Sequence, residues 1–334
     1  MSTPAPKTAL LLLNLGSPDE LSPAALRRYL REFLSDRRVI EAPRLVWWFV
    51  LNGVILPFRP RKLMHAYGNI WTEQGSPIRT ISLQQQHALQ SELNRRLGDG
   101  QVQVELAMTY GNPSITAAFE RLEQAGVERV LVLPLFPQYS ATTTAACFDA
   151  IARALAGRRN IPELRFIRQY HEQPAYIEAL ANSVREHWQQ QGRQGHLMFS
   201  FHGLPLSYVE KGDPYPRQCE ATVEAVVRQL GLSEQEWTLC YQSRVGIAPW
   251  LQPYTDETLI EWAKEGRSGV DVICPGFSAD CLETLEEVAI TNKELFEEAG
   301  GSDYQYIPAL NASSAHIQLL ADTAVKQLGG WLDP

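Results

Sequence analysis

Several signatures that would settle a function quickly are missing from this chain. No G-x-G-x-x-G fingerprint follows a strand; GDGQVQ at Gly98 lacks the third glycine and precedes a strand instead. There is no Walker-type phosphate loop and no CxxC pair. Dinucleotide-dependent redox chemistry, P-loop phosphoryl transfer and a zinc-ribbon site therefore have no support. Cysteine is sparse: five residues, at 147, 219, 240, 274 and 281, too few, odd in number and too scattered for a disulfide framework. The spacing of Cys274 and Cys281 fits no zinc pattern, and small apolar filler is their expected role. A reducing, cytoplasmic setting follows.

Basic tails and blocks of like charge are also lacking. The 38 acidic residues outnumber the 30 basic ones, for a formal net charge of −8, and no nucleic-acid partner is expected. The apolar run at residues 9–13 is too short for a signal peptide and reads as a first core strand. Nor is any run long enough to span a bilayer. The nearest is LVWWFVLNGVILPFRPRK, residues 45–62, with Trp47, Trp48, Arg59, Arg61 and Lys62. It reads as a short core helix or as an exposed apolar lip that holds a greasy ligand or touches a membrane surface.

What is present is an ordinary globular composition, 45% hydrophobic and 20% charged, spread over 334 residues, a natural length for two domains. Eight short apolar runs stand out: TALLLLNLG, VQVELAMTYG, RVLVLPLF, LRFIRQY, HLMFSFHG, WTLCYQS, VDVICPG and YQYIPAL. They are nearly continuous rather than alternating, as in strands buried on both faces. Helical patterns separate them: SPAALRRYLREFL with Ser22 as cap and Pro23 in the first turn, SITAAFERLEQAG ending on Gly126, and DCLETLEEVAITNKELFEEAGG ending on Gly300. Four strands and four strands predict an α/β protein of two doubly wound, Rossmann-like domains, with a hinge around 169–174. In such folds ligands bind beyond the carboxyl ends of the strands. His202 closes one strand there, with Gly203 behind it.

A second chemistry-bearing segment follows the seventh strand. Glu283 and Glu287, four residues apart, would stack on one face of an α-helix, with Glu286 beside them. Carboxylates entering a crevice that holds a histidine can take up protons or hand along a hard cation. Tyr215 lies between two prolines in a stiff turn. Prolines on both sides of Trp250 favour an extended, loop-borne indole, a stacking surface for a flat ligand. GFSAD at 276–280 comes within one residue of a nucleophile elbow, which makes a Ser278 hydrolase with His316 a rival reading. Against it, Asp280 replaces the required glycine, no HGGG-like oxyanion segment is visible, and His316 falls near a helix start with a solvated or capping role.

The segments LLNLGSPD, PLFPQYSATTT, FSFHGLPLSYVEKGDPYP, CYQSRVGIAPWLQPYTDETL and CPGFSADCLETLEEV together resemble the ferrochelatase family, in its proteobacterial branch, in order over nearly the whole chain. The resemblance implies insertion of ferrous iron into protoporphyrin IX, the terminal step of haem biosynthesis, and a chelatase-like fold of two Rossmann-like domains, each a four-stranded parallel sheet flanked by helices. The domains would be 1–168, including the lip at 45–62, and 169–334, carrying His202 and Glu283, with the last helix packing back on the first domain. His202 and Glu283 match the family's catalytic pair. Glu287 matches a further acid on a π-helical stretch, so that His202, Glu283 and Glu287 would handle the metal, His202 as proton acceptor or as ligand. Leu15, Tyr110, Tyr215, Ser243 and Trp250 match positions around the porphyrin, and Arg59 is a candidate for a propionate.

Departures from the family pattern carry their own expectations. Ala141 stands where animal members have a cluster-binding cysteine, and no cysteine follows Cys281, so no iron–sulfur cluster and no required cofactor are expected. Cys281 replaces a histidine, and Thr109 an arginine, found in some relatives. The expected partners are protoporphyrin and ferrous iron, for a cytoplasmic monomer that touches a membrane peripherally through 45–62. A porphyrin or haem carrier without turnover is the other alternative; it has no need of His202 together with Glu283 and Glu287.

Overall fold

The computed structural model describes residues 7–246 and 248–332. All eight apolar runs form strands: β1 (Lys7–Asn14), β2 (Val102–Met108), β3 (Val127–Pro134), β4 (Glu163–Phe166), β5 (His196–His202), β6 (Trp237–Gln242), β7 (Gly269–Ile273) and β8 (Asp303–Ile307). They pair in parallel throughout, as two four-stranded sheets ordered β2-β1-β3-β4 and β6-β5-β7-β8. β1 is buried at every position after Lys7 and β7 along its whole length, which is why neither alternates apolar with polar residues.

The described residues divide into two compact units. The first, 7–136, 141–169 and 312–332, holds the β1–β4 sheet. Its core joins Leu11, Leu13 and Val132 of the sheet to Phe119 and Ile151 of the helices Ile115–Gln124 and Ala146–Leu155. The helix Ser314–Leu328 packs on the helix Pro77–Leu97 and on β3, so the end of the chain belongs to this unit. The second unit, 137–140 and 170–311, holds the other sheet, where Met198, Val272, Val288 and Phe296 share a core. Compared with a single boundary at 168/169, two segments change sides. Residues 137–140 join the second unit through side-chain bonds: Gln218 Oε1 accepts from the Tyr139 N–H at 2.7 Å, and the Ser140 hydroxyl donates to Asp213 at 2.9 Å.

The first helix, Pro23–Ser35, begins as its sequence implies, with Ser22 Oγ accepting from the Ala25 N–H at 3.2 Å and proline in the first turn. Its stripe of Leu30 and Leu34 packs on Leu51 and Leu56. Residues 45–62 are not a core helix. They run through the helix Arg44–Val50, a π-helical turn Leu51–Ile55 and the start of the helix Leu56–Ile70, and only Leu51, Leu56 and Pro60 among them are buried. Leu45, Val46, Trp48, Phe49, Val54 and Phe58 are all more than half exposed. Among the described residues no helix is long and apolar enough to cross a membrane.

Strand order identifies where each unit can bind. From β1 the chain builds outward on one side to β2 and on the other to β3; from β5 it does the same to β6 and β7. The switch points therefore lie between β1 and β3 and between β5 and β7, at the carboxyl ends of those strands. Gly16 sits at the first, with φ of +110° and a Cβ position only 1.9 Å from the Tyr110 carbonyl oxygen, so no side chain fits there.

Candidate active site

At the second switch point β5 outruns its neighbour. Its pairing with β7 ends at Phe199–Ile273, while pairing with β6 continues to His202–Gln242, so His202 extends past the end of β7 and is exposed. His202 Nδ1 lies 2.7 Å from the Gly203 carbonyl oxygen. A carbonyl only accepts, so Nδ1 carries the hydrogen, and in the neutral ring Nε2 is left with its lone pair.

Gly203 is where an indole comes close. A Cβ there would lie 2.9 Å from the Gln242 carbonyl oxygen and 3.2 Å from Cε3 of Trp250. Trp250 is half-buried and loop-borne, as its flanking prolines imply, and its loop is laced to the one after His202. The Leu251 N–H donates to the Leu204 carbonyl at 2.9 Å, and the Leu206 N–H to the Pro249 carbonyl at 3.0 Å. The indole N–H reaches back to the Val245 carbonyl at 3.1 Å.

After β7 the chain turns into the acidic helix, and this helix is π-helical over Glu283–Asn292, not the α-helix that local periodicity suggests. Glu283 and Glu287 are both half-buried on it. The Glu287 carboxylate accepts from the Ser243 N–H at 2.7 Å and from the Ser243 hydroxyl. Burial raises the Glu287 carboxyl above the usual range, the Ser243 hydrogen bond and nearby His202 oppose that, and the charge of Glu283 adds to it. His202, Glu283 and Glu287 thus share one electrostatic neighbourhood. They are not a preassembled cage: among the described residues no three of His, Cys, Asp and Glu converge to hold a metal ion.

Two supports for this arrangement carry no motif of their own. Gln242 accepts from the Ser200 hydroxyl at 2.5 Å and donates to the Glu283 carbonyl at 3.0 Å, tying the first residue of the π-helix to the sheet. Buried Asp280 accepts from the hydroxyls of Tyr306 at 2.6 Å and Thr284 at 3.0 Å, and from the Asn311 amide at 2.7 Å. Only the position of Gln242 next to Ser243 at a strand end hinted at it; the partners of Asp280 lie too far along the chain to be read.

The remaining candidates are placed as follows. Tyr215 is the first residue of the helix Tyr215–Leu230, not part of a turn; its half-buried ring brings the phenol oxygen within 3.5 Å of a Cβ position on Gly276. Leu15 is half-buried beside the first switch point, and its carbonyl accepts from the Tyr110 N–H at 3.0 Å. Tyr110 itself is buried, with its hydroxyl donating to Asp36 at 3.1 Å, so its role is to shape the loop rather than to present a phenol. Thr109 is buried too, 3.1 Å from both the Asn14 carbonyl and the Cys147 sulfur. Arg59 is half-buried, burial lowers its guanidinium pKa, and no acid or hydrogen-bond acceptor pairs with it among the described residues. His316 is buried at the start of a helix in the first unit, not solvated, whereas buried Ser278 belongs to the second.

Solved structures share this architecture. SirB from Bacillus subtilis with Fe3+ superposes with a TM-score of 0.55 at 14% identity, covering 98% of this chain and 100% of that one. The sirohydrochlorin chelatase SirB of subspecies spizizenii, in complex with cobalt, gives 0.51 at 14% identity over the same shares. A sheet-end imidazole and a π-helix bearing carboxylates thus stand on a fold shared with solved chelatases. The family model described as Ferrochelatase matches residues 7–328. Relatives named ferrochelatase include those of Methylococcus capsulatus, 52% identical over 96% of both chains, and Actinobacillus pleuropneumoniae, 53% identical over 94% of this chain and 97% of that one. A third, from Thioalkalivibrio sulfidiphilus, is 50% identical over 96% of this chain and 87% of its own. The chain belongs to the ferrochelatase family, and its activity is the insertion of iron into a porphyrin in haem biosynthesis. Neither the carrier nor the hydrolase alternative finds support.

Proposed function

We propose that the substrates are protoporphyrin IX and ferrous iron, and that His202 and Glu283 are the central catalytic pair. The observation that carries this reading is the hydrogen bond between His202 Nδ1 and the Gly203 carbonyl, which leaves Nε2 as a fixed lone pair at the open end of β5. Metallation replaces two pyrrole N–H bonds with bonds to iron, which stays ferrous, and two protons must leave. Nε2 accepts one. Glu283 and Glu287 strip water from the incoming ion and pass protons outward, a transit role that suits carboxylates outside any closed cage.

Trp250 offers a flat apolar face beside Gly203, and Tyr215 and Ser243 are read as further positions around the porphyrin. Leu15 and Tyr110 shape the loop at the first switch point. Arg59, a half-buried cation without a partner among the described residues, is suited to a propionate carboxylate. The exposed apolar surface at 45–62 contacts a membrane surface, so the protein is read as a cytoplasmic monomer with peripheral attachment. No iron–sulfur cluster is assigned: Ala141 offers no thiolate, and burial pushes the thiols of Cys147 and Cys240 up to about 12 and those of Cys219, Cys274 and Cys281 well above their usual value.

The test is anaerobic incubation with protoporphyrin and ferrous iron, following porphyrin fluorescence. Its time-dependent loss, with haem absorbance appearing, is expected. Binding without metallation overturns the reading.

A further inference from the structure

Residues 42–72 contain no acidic residue, although the chain as a whole carries a formal charge of −8. Four lysines and arginines fall in that stretch, Arg44, Arg59, Arg61 and Lys62. Between this stretch and the helix Pro23–Ser35 there is a pocket of ≈ 260 Å³, lined by Arg31, Ser35, Arg44, Trp47, Trp48 and Asn52 among others. This is smaller than the ~300–1,000 Å³ that encloses a drug-sized molecule and suits one charged group. No carboxylate lines it. The two nearest acids of the preceding helix end are engaged elsewhere, Glu32 with the Gly111 N–H at 2.9 Å and Asp36 with the Tyr110 hydroxyl at 3.1 Å. Arg44 donates to the Ser35 carbonyl at 3.0 Å, and Trp47 to the Leu34 carbonyl at 2.6 Å, so both are held in place. Arg31 has no partner among the described residues and is exposed. On the helix Arg44–Val50, which supplies Arg44, Trp47 and Trp48 to the lining, Leu45, Val46, Trp48 and Phe49 are each more than half exposed.

Two cations in a small dent, beside a helix whose apolar and aromatic side chains are exposed, match a phosphate that sits at the level of a hydrocarbon boundary. We infer that the pocket between Arg31 and Arg44 binds the phosphate of an anionic membrane phospholipid. The inference rests on the reading of 45–62 as a membrane-facing surface and adds to it a lipid class and a defined seat. Apolar insertion alone does not distinguish lipids, whereas the paired guanidinium groups do.

The experiment is co-sedimentation of the full-length protein with vesicles of phosphatidylcholine alone, and of phosphatidylcholine mixed with phosphatidylglycerol. Wild type should prefer the anionic vesicles, and salt should erode the preference. Arg31→Gln, which removes no hydrogen bond or ion pair among the described residues, should cut anionic binding by more than the about fivefold of one cation at a charged surface, and leave neutral binding unchanged. Arg44→Gln should do the same, with its thermal midpoint measured because it also loses the bond to Ser35. Arg61→Gln, an exposed cation outside the pocket, should do markedly less. An Arg61 effect equal to that of Arg31 means diffuse attraction and overturns the site. Equal wild-type binding to both vesicles overturns it while sparing the membrane reading, and no binding to either removes both. A raised porphyrin KM for Arg31→Gln without lipid would assign the pocket to a substrate carboxylate instead.

Discussion

Ser243 grips Glu287 with both its backbone N–H and its hydroxyl, and it does so from the left-handed region, at φ of +65°. Non-glycine residues rarely adopt that conformation, and the double bond to one carboxylate is what it provides. The loop between β6 and Trp250 is thereby tied to the π-helix.

Ser243→Ala keeps the N–H donor and removes the hydroxyl. A hydrogen bond to a charged group contributes about 1.5–3 kcal/mol. Iron insertion should fall about tenfold, while porphyrin affinity from fluorescence titration moves less than twofold. An unchanged rate would show that Glu287 needs no orientation.

His202→Ala removes the lone pair at the end of β5. Loss of one positioned proton acceptor typically costs 10²–10⁴-fold, so insertion should drop by about that factor. Because the ring is exposed and its one hydrogen bond among the described residues is to its neighbour's carbonyl, folding and porphyrin binding should persist. Full activity in this variant removes the role assigned to the imidazole.

Gly203→Ala tests the seat of Trp250. The added methyl meets the Gln242 carbonyl oxygen at 2.9 Å, a backbone contact that must shift, and the indole at 3.2 Å, which must yield a few tenths of an ångström. Overpacking of this kind costs about 1–3 kcal/mol. Tryptophan emission should shift and the porphyrin KM should rise, with kcat less affected. A variant with wild-type KM and emission would mean that the backbone absorbs the methyl and the indole keeps its seat.

Much of this was legible in the residues, for identifiable reasons. A run such as LLLLN is apolar on both faces, so β1 could be read without its neighbours, and the same holds for β7. His202 was found because a polar residue closing an apolar strand is conspicuous at a carboxyl edge. The π-helix was not legible from periodicity, since Leu282, Leu285 and Val288 fit a 3.6-residue repeat; it entered only through family resemblance. Asp280 looked like a failed elbow glycine because its partners, Tyr306 and Asn311, lie 26 and 31 residues away. For 45–62 the residues left a core helix and an exposed lip both open, because composition alone does not say which side of an apolar helix is covered; the structure exposes it.

His196, at the opposite end of β5 from His202, gives a pH signature. It is buried with its ring 4.5 Å from that of Trp262, and its Nε2 is 2.8 Å from the Thr238 hydroxyl. Burial first, then the positive charge of Arg267, pushes its pKa down to about 4; Arg193 adds a smaller push, and nearby carbonyls oppose it. In the unfolded chain the same imidazole titrates near 6.5. Between those values the unfolded state binds a proton that the native state refuses, so stability falls as pH drops. The contribution is fully present above about 6.5 and is lost progressively down to about 4, with a total of about 2–3 kcal/mol. Urea midpoints of the second unit's unfolding, followed across that range, should decline more steeply in wild type than in His196→Gln, which cannot titrate there. Parallel pH profiles for the two proteins would show that the buried ring is protonated with no cost to the fold.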